Sequence, residues 1–244
     1  MKYRIIPLLY GFFVLCIILA FLFYPSDLNF SVFTHTFSRL GDWQQNPRGW
    51  IFFTIALIWI GFGLIPVTGY LIRSLRLISP FFAFLIRVSS ILGVLGLIGT
   101  GLFADIAGVP IWPAIWPALT YRGMHNYVTI FAMGGTGLMM IWIGVVLLID
   151  KIPRLGGVRL VPVVPPLIAF ILFLGAAIGL GIAQIIRVSL GLPFADAGNR
   201  YFAPWEWVTI TALFIAQALL IGSIDPNRVE SQRNAKNQSK NKII

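Results

Sequence analysis

Long apolar runs alternate with short polar stretches along this chain, and that spacing predicts its elements. The runs cover residues 5–24, 49–72, 81–103, 125–149, 161–186 and 205–224. A bilayer core about 30 Å thick takes roughly 20 helical residues at a rise of about 1.5 Å each. Six transmembrane helices are therefore expected. Barrel strands would alternate apolar and polar positions, whereas these runs are continuously apolar. Backbone groups in lipid must pair internally, which leaves helices. The expected fold is all-α: an integral membrane bundle of six transmembrane helices within residues 1–224. A polar, basic segment, 225–244, follows it as a disordered tail.

Composition supports a lipid solvent. Of the 244 residues 58% are hydrophobic and only 11% are charged, against about 25% charged in ordinary soluble domains. A net charge of +10 would point to nucleic acid in a soluble protein. Here the basic residues flank the apolar runs, so no nucleic-acid partner is expected and membrane lipids are. The first run, IIPLLYGFFVLCIILAFLFY, is longer than a signal-peptide core, and no small-x-small cleavage site follows it. It reads as a retained first span. The single cysteine, Cys16, lies inside this run and reads as a small apolar side chain.

Charge also orients the bundle. Thirteen of the 18 Lys and Arg residues fall on the side that carries both termini, and five on the other. Both termini are expected in the cytoplasm, with the cell membrane as the default location. The tail's basic residues suit an anionic inner leaflet. On the outer side Asp27, Asp42, Asp105, Asp196 and Glu206 balance Arg39, Arg48, Arg122, Arg187 and Arg200. Both histidines, His35 and His125, are expected there, with six of the eight tryptophans forming an interfacial belt. The proline-broken stretch VPIWPAIWPAL is expected to lie along that interface or to fold over the bundle.

Small residues mark close helix packing. Ser89, Gly93, Gly96, Thr100 and Gly101 mark the third run, and Gly175, Gly179 and Ala183 the fifth. Such rows let helix backbones approach. They serve packing within the chain or offer a route to homo-oligomers.

Several chemistries find no support in the sequence. The spans hold almost no ionisable groups, which argues against an ion-coupled pump. No HExxH, GxSxG or P-loop pattern occurs, and no cofactor or metal is assigned. What remains is the outer rim. Arg48, Arg122 and Arg200 stand at the outer starts of the even-numbered helices. They contact headgroups or surround an anionic ligand, with Arg39, Asp42, Asn126 and Glu206 as further ligand-binding candidates.

The stretch FSRLGDWQQNPRGW, residues 37–50, admits two readings. In the structural one, Asn46 and Pro47 start a helix as N-cap and first residue. Gly41 takes a left-handed turn, and Ser38 and Asp42 bond to local backbone. In the functional one, Ser38, His125 and Asp105 meet as nucleophile, base and orienter. A metal held by His35, His125 and Asp105 or Asp42 is a further arrangement.

The SxLG element (Ser38, Leu40, Gly41), followed by Asn46 and a span bearing Phe52 and Phe53, resembles the six-span proteins of domain of unknown function 998. The layout is also similar to that of the broader Frag/DRAM/Sfk-like group. Asp105 near the end of the third span and His125 opening the fourth look like this group as well. The resemblance covers residues 5–224 and implies the six-span fold without a settled activity. Seven-span hydrolases related to alkaline ceramidases also use Ser, Asp and His near one membrane face. They need three metal-binding histidines, and this chain has two.

The leading expectation is a non-enzymatic membrane protein that binds lipid headgroups or a small amphipathic ligand at its outer face. The second is a membrane-embedded hydrolase or transferase acting on a lipid through Ser38, His125 and Asp105. The third is a small transporter of neutral or lipid-like cargo.

Overall fold

The computed structural model describes residues 2–106, 108–112, 116–151, 164–191 and 199–223, with positions 231 and 234. Among the described residues six α-helices follow one another: α1 (Lys2–Leu22), α2 (Trp50–Leu75), α3 (Pro80–Leu102), α4 (Tyr121–Lys151), α5 (Val164–Ser189) and α6 (Asn199–Ser223). Among the described residues, five stretches are long and apolar enough to cross a membrane. They are Ile5–Leu22, Trp50–Leu75, Pro80–Leu102, Tyr121–Ile149 and Phe202–Leu220. In α5 the apolar stretch Ile171–Ile186 is shorter, and the first residues of the run expected at 161–186 lie outside the described set. Apart from positions 231 and 234, the tail lies outside it too.

The helix starts follow from local chemistry. Ser79 caps α3, accepting from the Phe82 N–H at 3.5 Å, and Pro80 follows it. Thr120 caps α4 by accepting from the Gly123 N–H at 3.1 Å. That cap starts α4 four residues earlier than hydropathy alone suggests and brings Arg122 and His125 into its first turns.

The connections over 23–49 and 103–120 are long and are held by polar contacts. A 3-10 helix, Phe37–Gly41, lies between α1 and α2. Two strands that the all-α expectation does not include, β1 (Pro110–Trp112) and β2 (Trp116–Thr120), pair antiparallel before α4. A two-stranded ribbon consists only of edges, so it tolerates the prolines that exclude a helix here. The Tyr121 and Arg122 N–H groups donate to the Val109 and Ile106 carbonyls at 2.9 and 3.2 Å and tie the ribbon to α4.

Asn46 joins two helix ends. Its Nδ2 donates to the Ala20 and Leu40 carbonyls at 3.0 and 2.9 Å, and its Oδ1 accepts from the Gly49 N–H at 3.0 Å. The Ala20 carbonyl is one of the last four of α1, which have no partner within the helix. The regular part of α2 begins at Trp50, three residues after the expected Pro47 start, because a turn over 47–49 intervenes. A Cβ at Gly49 would overlap both the Asn46 amide and the Ala20 carbonyl. Asp42 accepts from the Gln44 and Gln45 N–H groups at 2.9 and 3.3 Å, as the sequence predicts for a local turn. Gly41 differs from expectation. Its φ is not positive; instead a Cβ there would run into the Phe53 ring.

Close packing centres on α3 and α4, the most extensive pair, with α2 on the far side of α3 and α5 against α6. A Cβ at Gly96 would overlap the Ala132 backbone, and one at Gly135 the Gly93 backbone. Small residues therefore set the α3–α4 separation, as their spacing predicts. In α5, Gly179 lies under the Trp205 ring of α6, so this position serves packing within the chain, while Gly175 faces open space. Hydroxyls within the spans bond back one turn: Thr68 to the Leu64 carbonyl at 2.8 Å and Ser90 to the Ile86 carbonyl at 2.6 Å.

Candidate functional site

The bundle end that carries the 25–49 and 103–120 connections encloses a cavity of about 50 Å³. Three segments bring polar groups to it: Ser38 from the 3-10 helix, His125 from the second turn of α4 and Glu206 from the third turn of α6. Deeper in, Thr100 of α3 and Thr129 and Thr136 of α4 add hydroxyls. The remaining wall is apolar and includes the rings of Phe37, Phe53 and Phe214. His125, Thr129, Met133 and Thr136 follow one another at spacings of four, four and three residues, which places them on one face of α4.

Each polar group has a defined partner. His125 Nδ1 lies 2.6 Å from the Phe103 carbonyl oxygen. A carbonyl can only accept, so Nδ1 carries the hydrogen and the neutral ring's lone pair sits on Nε2. Glu206 Oε2 accepts from the Phe37 N–H at 3.2 Å, which ties α6 to the 3-10 helix. Ser38 Oγ pairs with Thr36 Oγ1 at 3.2 Å. Thr100 donates to the Gly96 carbonyl at 2.8 Å and meets Thr129 Oγ1 at 3.3 Å.

The expected Ser38, His125, Asp105 chain is not assembled. Ser38 and His125 share the cavity, but among the described residues no hydrogen bond joins them. Asp105 is held instead by Arg122, whose Nε donates to Asp105 Oδ1 at 2.8 Å. The carboxylate that enters the cavity is Glu206. Arg39 is likewise paired, to Asp42 at 3.3 Å. Neither arginine lines the cavity. Arg48 and Asn126 are exposed, and the Arg200 side chain and Asp196 lie outside the described set. His35 accepts from the Ser31 N–H at 3.3 Å and stacks on Phe30. Among the described residues no three His, Cys, Asp or Glu side chains group as a metal set.

Arg122 and Asp105 are part-exposed, so their pair is expected to contribute about 0–1 kcal/mol. Arg122→Ala should shift the detergent-solubilised unfolding midpoint only slightly. A loss above about 2 kcal/mol would mean the pair carries structure beyond its exposure.

Beside the cavity lies an apolar groove of about 310 Å³ between α1 and α6. Tyr10, Phe13 and Ile17 line one side, and Trp207, Thr211 and Ala218 the other. Phe37, Ile210 and Phe214 line both groove and cavity and form the wall between them. Trp207 is fixed by its Nε1–H donating to the His35 carbonyl at 3.0 Å. The tryptophan belt expected from sequence is thus partly structural. Trp205 covers Gly179, and Trp43 packs edge-on against Trp50 and Tyr121.

The sequence offers Glu206 as a ligand-binding candidate on the outer rim and Thr100 as a packing residue, and does not single out Thr129 or Thr136. The signal was present: Glu206, Ile210, Leu213 and Gln217 follow a four, three, four spacing, which puts Glu206 on the same face as the buried Gln217. Comparison with protein-family models, with curated proteins and with solved structures found no match for this chain.

Proposed function

We propose that this chain is a six-span protein of the cell membrane, with both termini cytoplasmic, that binds a small amphipathic ligand at its outer face. The observation that carries this reading is the shared wall. A mostly apolar cavity that carries a few polar groups and a lipid-facing apolar groove touch at Phe37, Ile210 and Phe214. A single acyl or alkyl chain in the groove would place its head at that wall, and rotation of the Phe37 or Phe214 ring would admit the head to the cavity. Ligand sites commonly combine mostly apolar walls with a few converging polar groups. The pairing of Arg39 and Arg122 with carboxylates removes two cations from the anionic-ligand arrangement.

Native mass spectrometry of gently extracted protein tests the reading. A retained amphiphile is expected on the wild type. Ala218→Phe should fill the groove and abolish retention while leaving the unfolding midpoint within about 0.5 kcal/mol, as for a substitution outside the core. Wild-type protein that retains no amphiphile would end the proposal.

A membrane-embedded hydrolase is the second reading, favoured by Ser38 and His125 lining one cavity. Ser38 Oγ would attack a carbonyl carbon, its proton would pass to His125 Nε2 and on to the leaving alcohol, and water would release the acyl group. Lipid hydrolysis undiminished in a Ser38→Ala, His125→Ala double variant would exclude it.

A further inference from the structure

We infer that the cavity takes a primary ammonium group, so that the ligand is a long-chain primary amine; this rests on the ligand-binding reading above. The polar groups that reach the cavity from its outer end are all acceptors. Glu206 has one carboxylate oxygen occupied by the Phe37 N–H at 3.2 Å and a second left for a ligand. His125 gives its Nδ1 hydrogen to the Phe103 carbonyl and keeps an acceptor at Nε2. Ser38 Oγ shares one hydrogen bond with Thr36 Oγ1, in which either hydroxyl can donate, and keeps a lone pair that can accept. A primary ammonium brings three N–H donors, one for each.

Charge points the same way. Among the described residues no cationic side chain pairs with Glu206 or lines the cavity. Enclosing a carboxylate without a counter-charge is costly, and an arriving cation offsets that cost. The Phe37, Phe53 and Phe214 rings add faces that attract a cation. A phosphate head would instead set like charge against Glu206 with no cation to mediate. At about 50 Å³ the cavity holds a small head, since a water-sized group takes roughly 10–15 Å³ by the same measure. The attached chain continues past Phe37 and Phe214 into the groove.

The test titrates full-length protein in neutral maltoside micelles with dodecylamine, 1-dodecanol and dodecyl phosphate, each followed by native mass spectrometry. Dodecylamine is expected to bind roughly tenfold or more tightly than dodecyl phosphate, as for a charge-assisted hydrogen bond. Glu206→Gln should weaken dodecylamine about 10- to 100-fold and leave 1-dodecanol unchanged. Ser38→Ala, which removes one neutral acceptor, should weaken dodecylamine about 2- to 10-fold. Dodecyl phosphate binding as well as dodecylamine, or an unaltered amine affinity in Glu206→Gln, would overturn the amine assignment and leave the groove reading in place. If Glu206→Gln does not fold, an unchanged amine-to-alcohol ratio in Ser38→Ala overturns it. Retention of none of the three amphiphiles defeats the ligand-binding reading itself.

Discussion

Asn46→Ala should be the most destabilising single truncation at the α1–α2 connection, by about 3–5 kcal/mol. The side chain is fully buried, at 0% exposure, and makes three hydrogen bonds. Its loss strands the Ala20 and Leu40 carbonyls and the Gly49 N–H away from water, and each stranded group costs about 1–3 kcal/mol. Partial rescue by entering water keeps the total below the sum. Asn46→Asp is the sharper variant. It retains the acceptor for Gly49 but sets a carboxylate against two carbonyl oxygens, so it should lose at least as much. Detergent-solubilised thermal unfolding measures both. A midpoint within a degree or two of wild type would show that Asn46 is not the joint between the helices.

Gly96→Leu is the second large effect, expected at or above about 3 kcal/mol. Overpacking costs about 1–3 kcal/mol where side chains can yield. Here the obstacle is the Ala132 backbone of α4, which cannot rotate aside. The helices must separate, and the Thr100–Thr129 contact at 3.3 Å is lost with them. Gly134→Leu is the control, because that position lies on α4 facing open space. It should leave stability nearly unchanged. Equal losses in the two variants would attribute the effect to helix propensity or membrane insertion rather than to the α3–α4 contact.

Hydropathy located five of the six expected spans because lipid imposes one strong rule, that every backbone group pairs inside its own helix. Glycine spacing marked α3 as a close-packing helix for a related reason: close approach in lipid needs small residues, and Gly93 and Gly96 are visible as such, whereas α4 as the partner was not. Boundaries were less legible. The start of α4 depends on the Thr120 hydroxyl reaching Gly123, a contact with no hydropathy signature. Gly41 is required by the Phe53 ring, which lies twelve residues along the chain, and a single sequence does not announce such a tertiary contact. Within the candidate site, Ser38 and His125 were legible as polar residues at one end of the bundle. Glu206 was legible as a ligand candidate at that end, but not as the carboxylate that joins these two. Asp105 and Glu206 lie at similar depth by sequence, and only packing decides that one meets Arg122 and the other the cavity. Singly, Thr129 and Thr136 resemble the hydroxyls that bond back to their own helix; the α4 face they share with His125 distinguishes them, while Thr100 reaches the cavity from α3.

The position of Asn46 also bears on how the chain enters the bilayer during synthesis. All its partners lie between Ala20 and Gly49. The polar groups of that joint are therefore satisfied without α3, α4, α5 or α6, whereas the Phe37 N–H further back in the connection takes its partner, Glu206, from α6. An emerging pair of helices can pass into lipid with this joint already formed and the Ala20 carbonyl covered. The cavity, by contrast, draws on α3, α4 and α6 and closes only after the last span is in place. Ribosome-bound intermediates truncated after α2 should already protect the Gly49 amide from exchange, long before a site for any ligand exists.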